Sequence, residues 1–486
     1  MSRTARVAVL GGGIAGLSAA WRLAKRLEPS SIVLLEASRR LGGWIESTKT
    51  SDGGVFEHGP RSLRLAGNAG RASLSLVEEL GLGDDVLPVL PSNKGARKRL
   101  IYGDGRMNEL GGGLAGMFRR SALFSEPLAR AMMRELVRKN APACEDETVH
   151  QFCERRLGNE IAHWLADPLC RGIFAGSSKH LSMRSCFPKV YEYERRYGSV
   201  IRGAVMSKKE RLRYKNSELV KRSKKEAWVT WSLRNGLESL PNRLGHALSA
   251  RGVKILKNKP CTSLEINNNE IKVHMKGEDS AVRVDSVVSA IPARNLSSAL
   301  MANHPTLASH LERISAVTVA IVLLEFDGKV LPTEAFGYLV PSHQPSNALG
   351  VVFDSCSFPE HDRTGSPSTR LTVMMGGHWF NDLFGGAHSL TEDRIEAIAR
   401  ETIADHLGIQ AKPTRCLVRI LKDCIPQYNI GHHETIGAID QYIEEHSLPL
   451  TLVGASYRAV AVNDIVDTTM QAVDQLCNKR MESWSC

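Results

Sequence analysis

Two features near the start of the chain have the residue types and spacing for chemistry: a glycine turn, Gly11-Gly12-Gly13-Ile14-Ala15-Gly16, and an acid, Glu36, twenty residues past the last of those glycines. Gly11 permits the turn, Gly13 lets the backbone approach a pyrophosphate, and Gly16 lets a helix pack closely on a strand. A helix opening at this turn offers free N–H groups and a partial positive charge to phosphate. A carboxylate at Glu36 accepts hydrogen bonds from the hydroxyls of an adenosine ribose. The elements that must position them are legible too. Arg6–Leu10 reads as a buried strand, an Ala/Leu-rich helix follows to about Leu27, and Ser31–Leu35 reads as a second strand ending at Glu36. A glycine turn alone also fits an ordinary loop. One set between two apolar strands, with an acid at this distance, reads as a dinucleotide site.

The next residues refine the cofactor. Arg39-Arg40-Leu41-Gly42-Gly43 follows the acid at once, and Phe56-Glu57-His58-Gly59-Pro60-Arg61 comes soon after. A second glycine pair in this place resembles the flavoprotein superfamily of amine oxidases and their relatives. That resemblance implies FAD rather than NAD, held by Gly11 through Gly16, Glu36, Ala37, Trp44, Gly59, Pro60, Arg61, Ser62 and Cys261, and by Ala455, Val460, Ala461 and Val462 near the end of the chain.

Composition agrees with an enzyme of this size. The 486 residues suffice for two or three domains, and 42% hydrophobic with 24% charged residues excludes disordered and collagen-like classes. Lys and Arg outnumber Asp and Glu by 63 to 52, and nine of the cations lie between Met206 and Glu226. Such a run fits a solvated surface or contact with an anionic membrane surface. Nucleic acid is not expected, because only Tyr214 interleaves with the charges and no zinc-finger or RNA-binding signature occurs. No stretch has the roughly 20 apolar residues of a membrane-spanning helix. The ten cysteines form no CxxC pair and the sixteen histidines no HExxH, so neither a metal site nor a structural disulfide is expected. A secretory signal is not expected either, since the first strand begins almost at once.

Further along, Leu74–Leu82 reads as a short amphipathic helix and Arg99–Gly105 as a hairpin strand and turn. Helices then dominate to about Met206. They include Phe118–Lys139, which carries six Arg or Lys among Leu, Phe, Met and Ala and reads either as a membrane-facing helix pair or as a basic helical surface. Trp228–Gly236 leads into a helix ending at Ala250, and Val253–Leu256 and Ser286–Pro292 read as strands returning to the first domain. A strand-rich region follows, with Ala316–Phe326 and Leu371–Met375 as strands and long loops between. Leu448–Gly454 is a last strand and Val462–Cys477 a last helix. A helix starting near Val460 reads either as a plain terminal helix or as one that aims backbone N–H groups at the flavin ring and stabilises the charge that develops there.

The fold expected is α/β: a Rossmann-like FAD-binding domain from 1–92, 235–292 and 440–486, a strand-rich substrate-binding domain from 93–106, 212–234 and 293–439, and a helical membrane-binding insert at 107–211. Asp167–Gly176, Leu181–Pro188, Thr230–Arg234, Cys424–Tyr428, Gly454–Tyr457 and Val460–Asp464 resemble the protoporphyrinogen oxidase family, with spacing most like its animal members. The resemblance runs from Arg6 to about Val473. It implies oxidation of protoporphyrinogen IX to protoporphyrin IX, the penultimate step of haem biosynthesis, in three two-electron rounds with dioxygen as acceptor. It also implies a homodimer, peripheral on the mitochondrial inner membrane and facing the intermembrane space. Arg99 would pair with a propionate, and Phe336, Gly337, Leu339 and Met374 would line the macrocycle's slot. By residue type alone, Arg99 also fits a surface arginine and Met374 an ordinary core position. The chain departs from the family at Ala459, where glycine is common, at Thr468-Thr469, where Ser-Gly is common, and at Cys261, where valine is usual. These changes bear on turnover more than on FAD binding. An amine oxidase or carotenoid-type desaturase would share the cofactor domain without the Phe174–Pro188 pattern, and a tetrapyrrole carrier that keeps FAD without turnover is the other class.

Overall fold

The computed structural model of the chain describes residues 6–93, 95, 98–111, 118, 122–138, 145–207, 213–267, 270–385 and 390–484. The runs Val7–Leu10 and Ile32–Leu35 are buried at every position, as strands covered on both faces must be. They sit within a five-stranded parallel sheet ordered Lys254–Leu256, Ile32–Leu35, Val7–Leu10, Ser286–Ser289, Leu450–Leu452. Alternate residues point to opposite faces. Val7, Val9, Ile32 and Leu34 pack under the helices Ile14–Leu23, Ser239–Ala250 and Val462–Trp484. Ala8, Leu10, Val33 and Leu35 pack on the helices Ala293–Leu300, Pro305–Glu312 and His432–Glu445 and on the antiparallel strands Cys261–Asn267, Glu270–Met275 and Val282–Val284. The last helix is fastened to the first by Arg22, whose Nε and Nη2 donate to the two oxygens of Asp474 at 2.7 and 2.8 Å.

A seven-stranded mixed sheet stands beside this unit, in the order Arg415–Pro426, Ala316–Asp327, Ser368–Gly376, Ala348–Phe353, Gly337–Leu339, Arg99–Gly103, Arg106–Leu110. Only the pair Gly337–Leu339 and Arg99–Gly103 is parallel. Asp104 and Gly105 turn the hairpin with φ of 54° and 71°, the two positive values of a type I′ turn. One face of the sheet is covered by the helix Glu392–Leu407 through Ile395, Ala399, Ile403 and Leu407. The opposite face carries the register row Ile101, Leu339, Gly350, Met374, Ile321 and Arg419, and is covered in part by Ala175 and Trp379.

In the helical segment, the helix Val149–Leu157 is capped by Thr148 and Gln151 in a reciprocal capping box. The helix from Asn159 to Phe174 widens over Ala162–Ala166. Pro168 follows that turn and has no N–H to close the ladder beneath it. Two further helices, Leu128–Val137 and Val200–Met206, are joined by one buried acid. Glu135 accepts from the Val200 N–H at 2.8 Å, from the Ser199 hydroxyl at 2.6 Å and from Arg156 Nε at 3.1 Å. The acid therefore satisfies the start of one helix from within the other.

Several elements differ from the sequence reading. The helix expected at Leu74–Leu82 is Gly67–Glu79, stopped before Gly81, whose φ is +69°. Phe118–Lys139 contains one described helix, Leu128–Val137; residues 119–121 and 139 lie outside the described set, as do Lys208, Lys209 and Arg211 of the basic run. The junction at 106/107 falls inside the strand Arg106–Leu110, because that strand completes the hairpin. Position 440 falls inside the helix His432–Glu445, whose Ile436 and Ile439 pack under the parallel sheet. Thr230–Leu233 pairs with Leu63–Arg64 and Val86–Val89, so it is bonded to the first segment and not to the mixed sheet. The last helix starts at Val462, two residues after Val460, and runs on to Trp484.

Glu135 and Arg156 are essentially without solvent exposure, so Glu135→Ala removes the nearer of the two carboxylates on Arg156, Glu194 remaining at 3.3 Å, and should destabilise the protein by about 1.5–3 kcal/mol. Burial pushes the Glu135 carboxyl up, but the Ser199 hydroxyl, the Val200 N–H and Arg156 outweigh it and hold the group below its usual range. Its stabilisation is therefore present above the unfolded value of about 4.3 and lost as pH falls through the lower folded value. Urea unfolding of both proteins across acidic pH should show the gap between them closing as pH falls.

Candidate functional site

The glycine turn is held by close contacts that exclude side chains. Gly11 has φ +96° and donates to the Leu35 carbonyl at 2.7 Å. A Cβ on Gly16 would lie 1.8 Å from the Gly11 oxygen. The second glycine pair lies directly against the first: Gly42 N donates to Gly12 O at 2.8 Å, and a Cβ on Gly43 would stand 3.2 Å from Gly13 Cα. The result is a backbone-lined cradle at the N-terminus of Ile14–Leu23, where the first-turn N–H groups have no intrahelical acceptor. Glu36 accepts from Gly12 N at 2.6 Å and Ser38 N at 2.7 Å, which leaves lone pairs on both oxygens for ribose hydroxyls. Asn258 N and Lys259 N donate to the Ser38 and Glu36 carbonyls at 3.0 and 2.9 Å, bringing Cys261 to the same end. Burial pushes the Cys261 thiol up to about 12, so it is a neutral wall. Ala37 and Trp44 are exposed beside the cradle. This set fits a dinucleotide: glycine backbone for the pyrophosphate, a carboxylate for the ribose and a small apolar side chain at the base end.

The loop Gly59-Pro60-Arg61-Ser62 continues the same wall. A Cβ on Gly59 would stand 2.2 Å from the Trp44 oxygen. Arg61 Nη1 donates to Asp354 at 2.9 Å, and Asp354 accepts from the Thr372 hydroxyl at 2.7 Å, which ties this loop to the mixed sheet. At the chain's end, Gly454 turns with φ +102° beside Ala15. Ala455, half-buried Val460, exposed Ala461 and buried Val462 follow it into the last helix. Ala459, where the family commonly has glycine, does not have a positive φ, so the alanine adds no backbone strain. Thr469 is fully buried inside the last helix, and the Thr468 hydroxyl bonds back to the Asp464 carbonyl at 2.7 Å. The departure that motivated a carrier without turnover is therefore accommodated at Ala459.

The expected substrate residues converge on the open face of the mixed sheet. Arg99 lies over the Phe336 ring, 4.3 Å from its centroid, and no described carboxylate is within ion-pair distance. Burial and the Arg64 charge both lower its proton affinity. Leu339 and Met374 flank Gly350 in one row. Gly337 has φ +140°, and a Cβ there would lie 2.2 Å from the Val351 oxygen. Cβ atoms at Gly172 and Gly350 would come within 2.7 and 2.9 Å of Leu339 Cδ2, so both glycines make room for that side chain.

Sequence reasoning missed several neighbours. Arg171 is buried, 4.5 Å from the Trp379 ring centroid, with Nη2 donating to the Ala348 oxygen at 3.1 Å; burial lowers its pKa to about 10. Glu57 is buried between the Ser47 hydroxyl and the Leu237 N–H, and burial raises its pKa to about 7. His58 sits between the Thr48 hydroxyl and Arg419 Nε at 2.7 and 2.9 Å, and burial with the Arg419 charge lowers its pKa to about 4. Arg171 and Gly172 lay inside a motif singled out for its family likeness, and Glu57 and His58 inside the quoted segment Phe56–Arg61; nothing in residue type announced their burial. Among the described residues no group of His, Cys, Asp or Glu is arranged to hold a metal ion, and the described cysteines are free thiols.

Residues 14–463 match the family described as flavin containing amine oxidoreductase. Human protoporphyrinogen oxidase is 44% identical over 97% of this chain and 98% of its own length. The protein of the same name from Schizosaccharomyces pombe is 31% identical over 95% of this chain and 96% of its own. Among solved structures, a putative protoporphyrinogen oxidase from Exiguobacterium sp. 255-15 superposes with a TM-score of 0.77 at 22% identity, covering 99% of this chain and 100% of that one. With its paired glycine segments, its parallel sheet and this breadth of likeness, the chain belongs to the flavin-containing amine oxidoreductases and, within them, to the animal-type protoporphyrinogen oxidases.

Proposed function

We propose that the chain binds FAD and oxidises protoporphyrinogen IX to protoporphyrin IX in three two-electron rounds, with three dioxygen molecules reduced to hydrogen peroxide. The observation that carries this reading is Arg99, a half-buried cation with no described carboxylate partner, at the edge of an apolar row of sheet residues. A flat apolar ring with acidic substituents on one edge matches that arrangement. When bound, FAD supplies hydride acceptance. The chain's own residues do the rest. Arg99 holds a propionate through charge-assisted hydrogen bonds, Phe336, Leu339 and Met374 exclude water from the ring, and the first turn of Val462–Trp484 offers N–H groups to developing negative charge. The FAD-binding, substrate-binding and membrane-binding parts are proposed to follow the segments expected from sequence, adjusted so that the hairpin Arg99–Leu110 and the helix His432–Glu445 stay whole and Thr230–Leu233 joins the FAD-binding part.

Membrane contact is proposed for the surface of the helical segment. Val137 and Val205 are 80% exposed, and Met133 and Met206 about 60%, on the two helices that Glu135 joins. Arg130, Arg134, Arg138 and Arg202 lie on or at the end of the same two helices, the first two paired with Glu126. No described helix is long and apolar enough to cross a membrane, so this surface suits shallow contact with an anionic bilayer. Family likeness further supports a homodimer on the mitochondrial inner membrane, facing the intermembrane space.

Arg99→Ala should lower kcat/KM about 10-fold or more, matching loss of a charge-assisted bond of roughly 1.5–3 kcal/mol, with FAD content unchanged. Unaltered kinetics in the FAD-loaded variant would remove Arg99 from the site. For the surface, Val137→Glu combined with Val205→Glu should weaken sedimentation with anionic vesicles while activity in detergent is retained, and high salt should release part of the wild type. Equal vesicle binding by variant and wild type would place the contact elsewhere.

A further inference from the structure

The segment Gln427–His432, just past the edge strand Arg415–Pro426, is bonded on both sides. On one side it is stitched to the helical segment. The Gln427 amide donates to the Phe174 carbonyl at 2.9 Å, the Tyr428 carbonyl accepts from Ser182 N at 2.8 Å, and Ile430 N donates to the His180 carbonyl at 3.1 Å. On the other side it holds the loop that precedes the last helix. The Tyr428 hydroxyl donates to the Ala455 carbonyl at 2.5 Å, and His432 Nε2 lies 2.9 Å from the Tyr457 carbonyl. A carbonyl only accepts, so Nε2 carries the proton. The two rings stack, with centroids 4.1 Å apart and planes 14° from parallel. Both side chains are buried. Burial disfavours ionisation of either: it raises the pKa of Tyr428 and lowers that of His432.

We propose that Tyr428 and His432 are positioning residues that fix the Gly454–Ala461 loop at the cofactor and make its position follow that of the helical segment. The proposal rests on the reading of this loop as part of the FAD site. The residue between Ala455 and Tyr457 is tied separately to the first unit, Ser456 Oγ accepting from Ala293 N at 3.1 Å, and the stacked rings add the tie to the helical segment. Because the strap grips the helix Asp167–Phe174 at its last residue, and that helix packs Gly172 against Leu339, displacement of the slot wall would reach the loop through it.

The test uses the full FAD-loaded chain with Tyr428→Phe, which keeps the ring and removes one hydroxyl, and His432→Phe, which keeps an aromatic ring and removes the donor. Both variants should retain FAD, since the glycine cradle and Glu36 are untouched. Both should show altered visible circular dichroism of the flavin, a displaced flavin midpoint potential, and kcat lower by about 3- to 10-fold, the scale of one hydrogen bond, with KM little changed. Hydrogen exchange at 454–461 should quicken in both, with or without FAD. Wild-type flavin spectra, potential and exchange in both variants, with at most a lower Tm, would overturn the proposal and leave the strap a structural brace. The circular dichroism, potential and exchange readouts need no tetrapyrrole, so a wild type inactive toward protoporphyrinogen would count against the proposed substrate and not against the strap.

Discussion

The rest of the structure depends on one close approach: the backbone of Gly16 against the carbonyl of Gly11, where a Cβ would stand at 1.8 Å. That contact lets the helix Ile14–Leu23 start immediately above the strand Val7–Leu10. It thereby places the helix N-terminus, Glu36 and the second glycine pair around one small volume. Gly42 and Gly43 close on that volume, Gly42 N donating to Gly12 O at 2.8 Å and a Cβ on Gly43 standing 3.2 Å from Gly13 Cα. The parallel sheet supplies the rigid floor, and its strands come from the beginning, the middle and the end of the chain. The cofactor end is therefore complete only when distant segments have assembled, a topology that folds late because its contacts are non-local.

The mixed sheet is tied to the segment Asp52–Arg61 of the first unit by a set of arginine contacts. Arg370 donates to the Val55 and Phe358 carbonyls and to Asp362. Arg61 reaches Asp354, Arg419 reaches His58, and Arg415 reaches Asp52 and Glu325. Planar, multiply bonded guanidinium groups fix orientation as well as distance. Arg99, Leu339 and Met374 lie on the face of the sheet that Ala175 and Trp379 partly cover. Two buried groups in the segment Asp52–Arg61 have displaced proton affinities, Glu57 upward and His58 downward, because the junction is dry.

Local signals in the sequence account for much of this. The glycine turn, the two apolar strands and Glu36 were legible because their spacing follows from backbone geometry alone, and the hairpin at Arg99 because Asp104-Gly105 has a defined turn chemistry. The residues proposed to line the slot came from family likeness, since Leu339 and Met374 look like ordinary core residues until the register sets them in one row. What was not legible depends on tertiary context. Thr230–Leu233 pairs with strands more than 130 residues away in sequence, and Glu135 looks like a surface acid on a basic helix although it is fully buried. The strap at Tyr428 and His432 was invisible for the same reason: a tyrosine and a histidine four residues apart carry no sign that their rings stack on each other and their polar atoms hold a distant loop.

The most direct test of the account is an anaerobic mixing experiment with the purified, FAD-loaded protein and protoporphyrinogen IX, following flavin absorbance and porphyrin fluorescence together. The account predicts that flavin absorbance falls as porphyrin-pathway oxidation products appear, and that admitting air restores the flavin and allows oxidation to run to protoporphyrin. Flavin that stays oxidised in the presence of excess protoporphyrinogen, in protein whose FAD is fully bound, would contradict it.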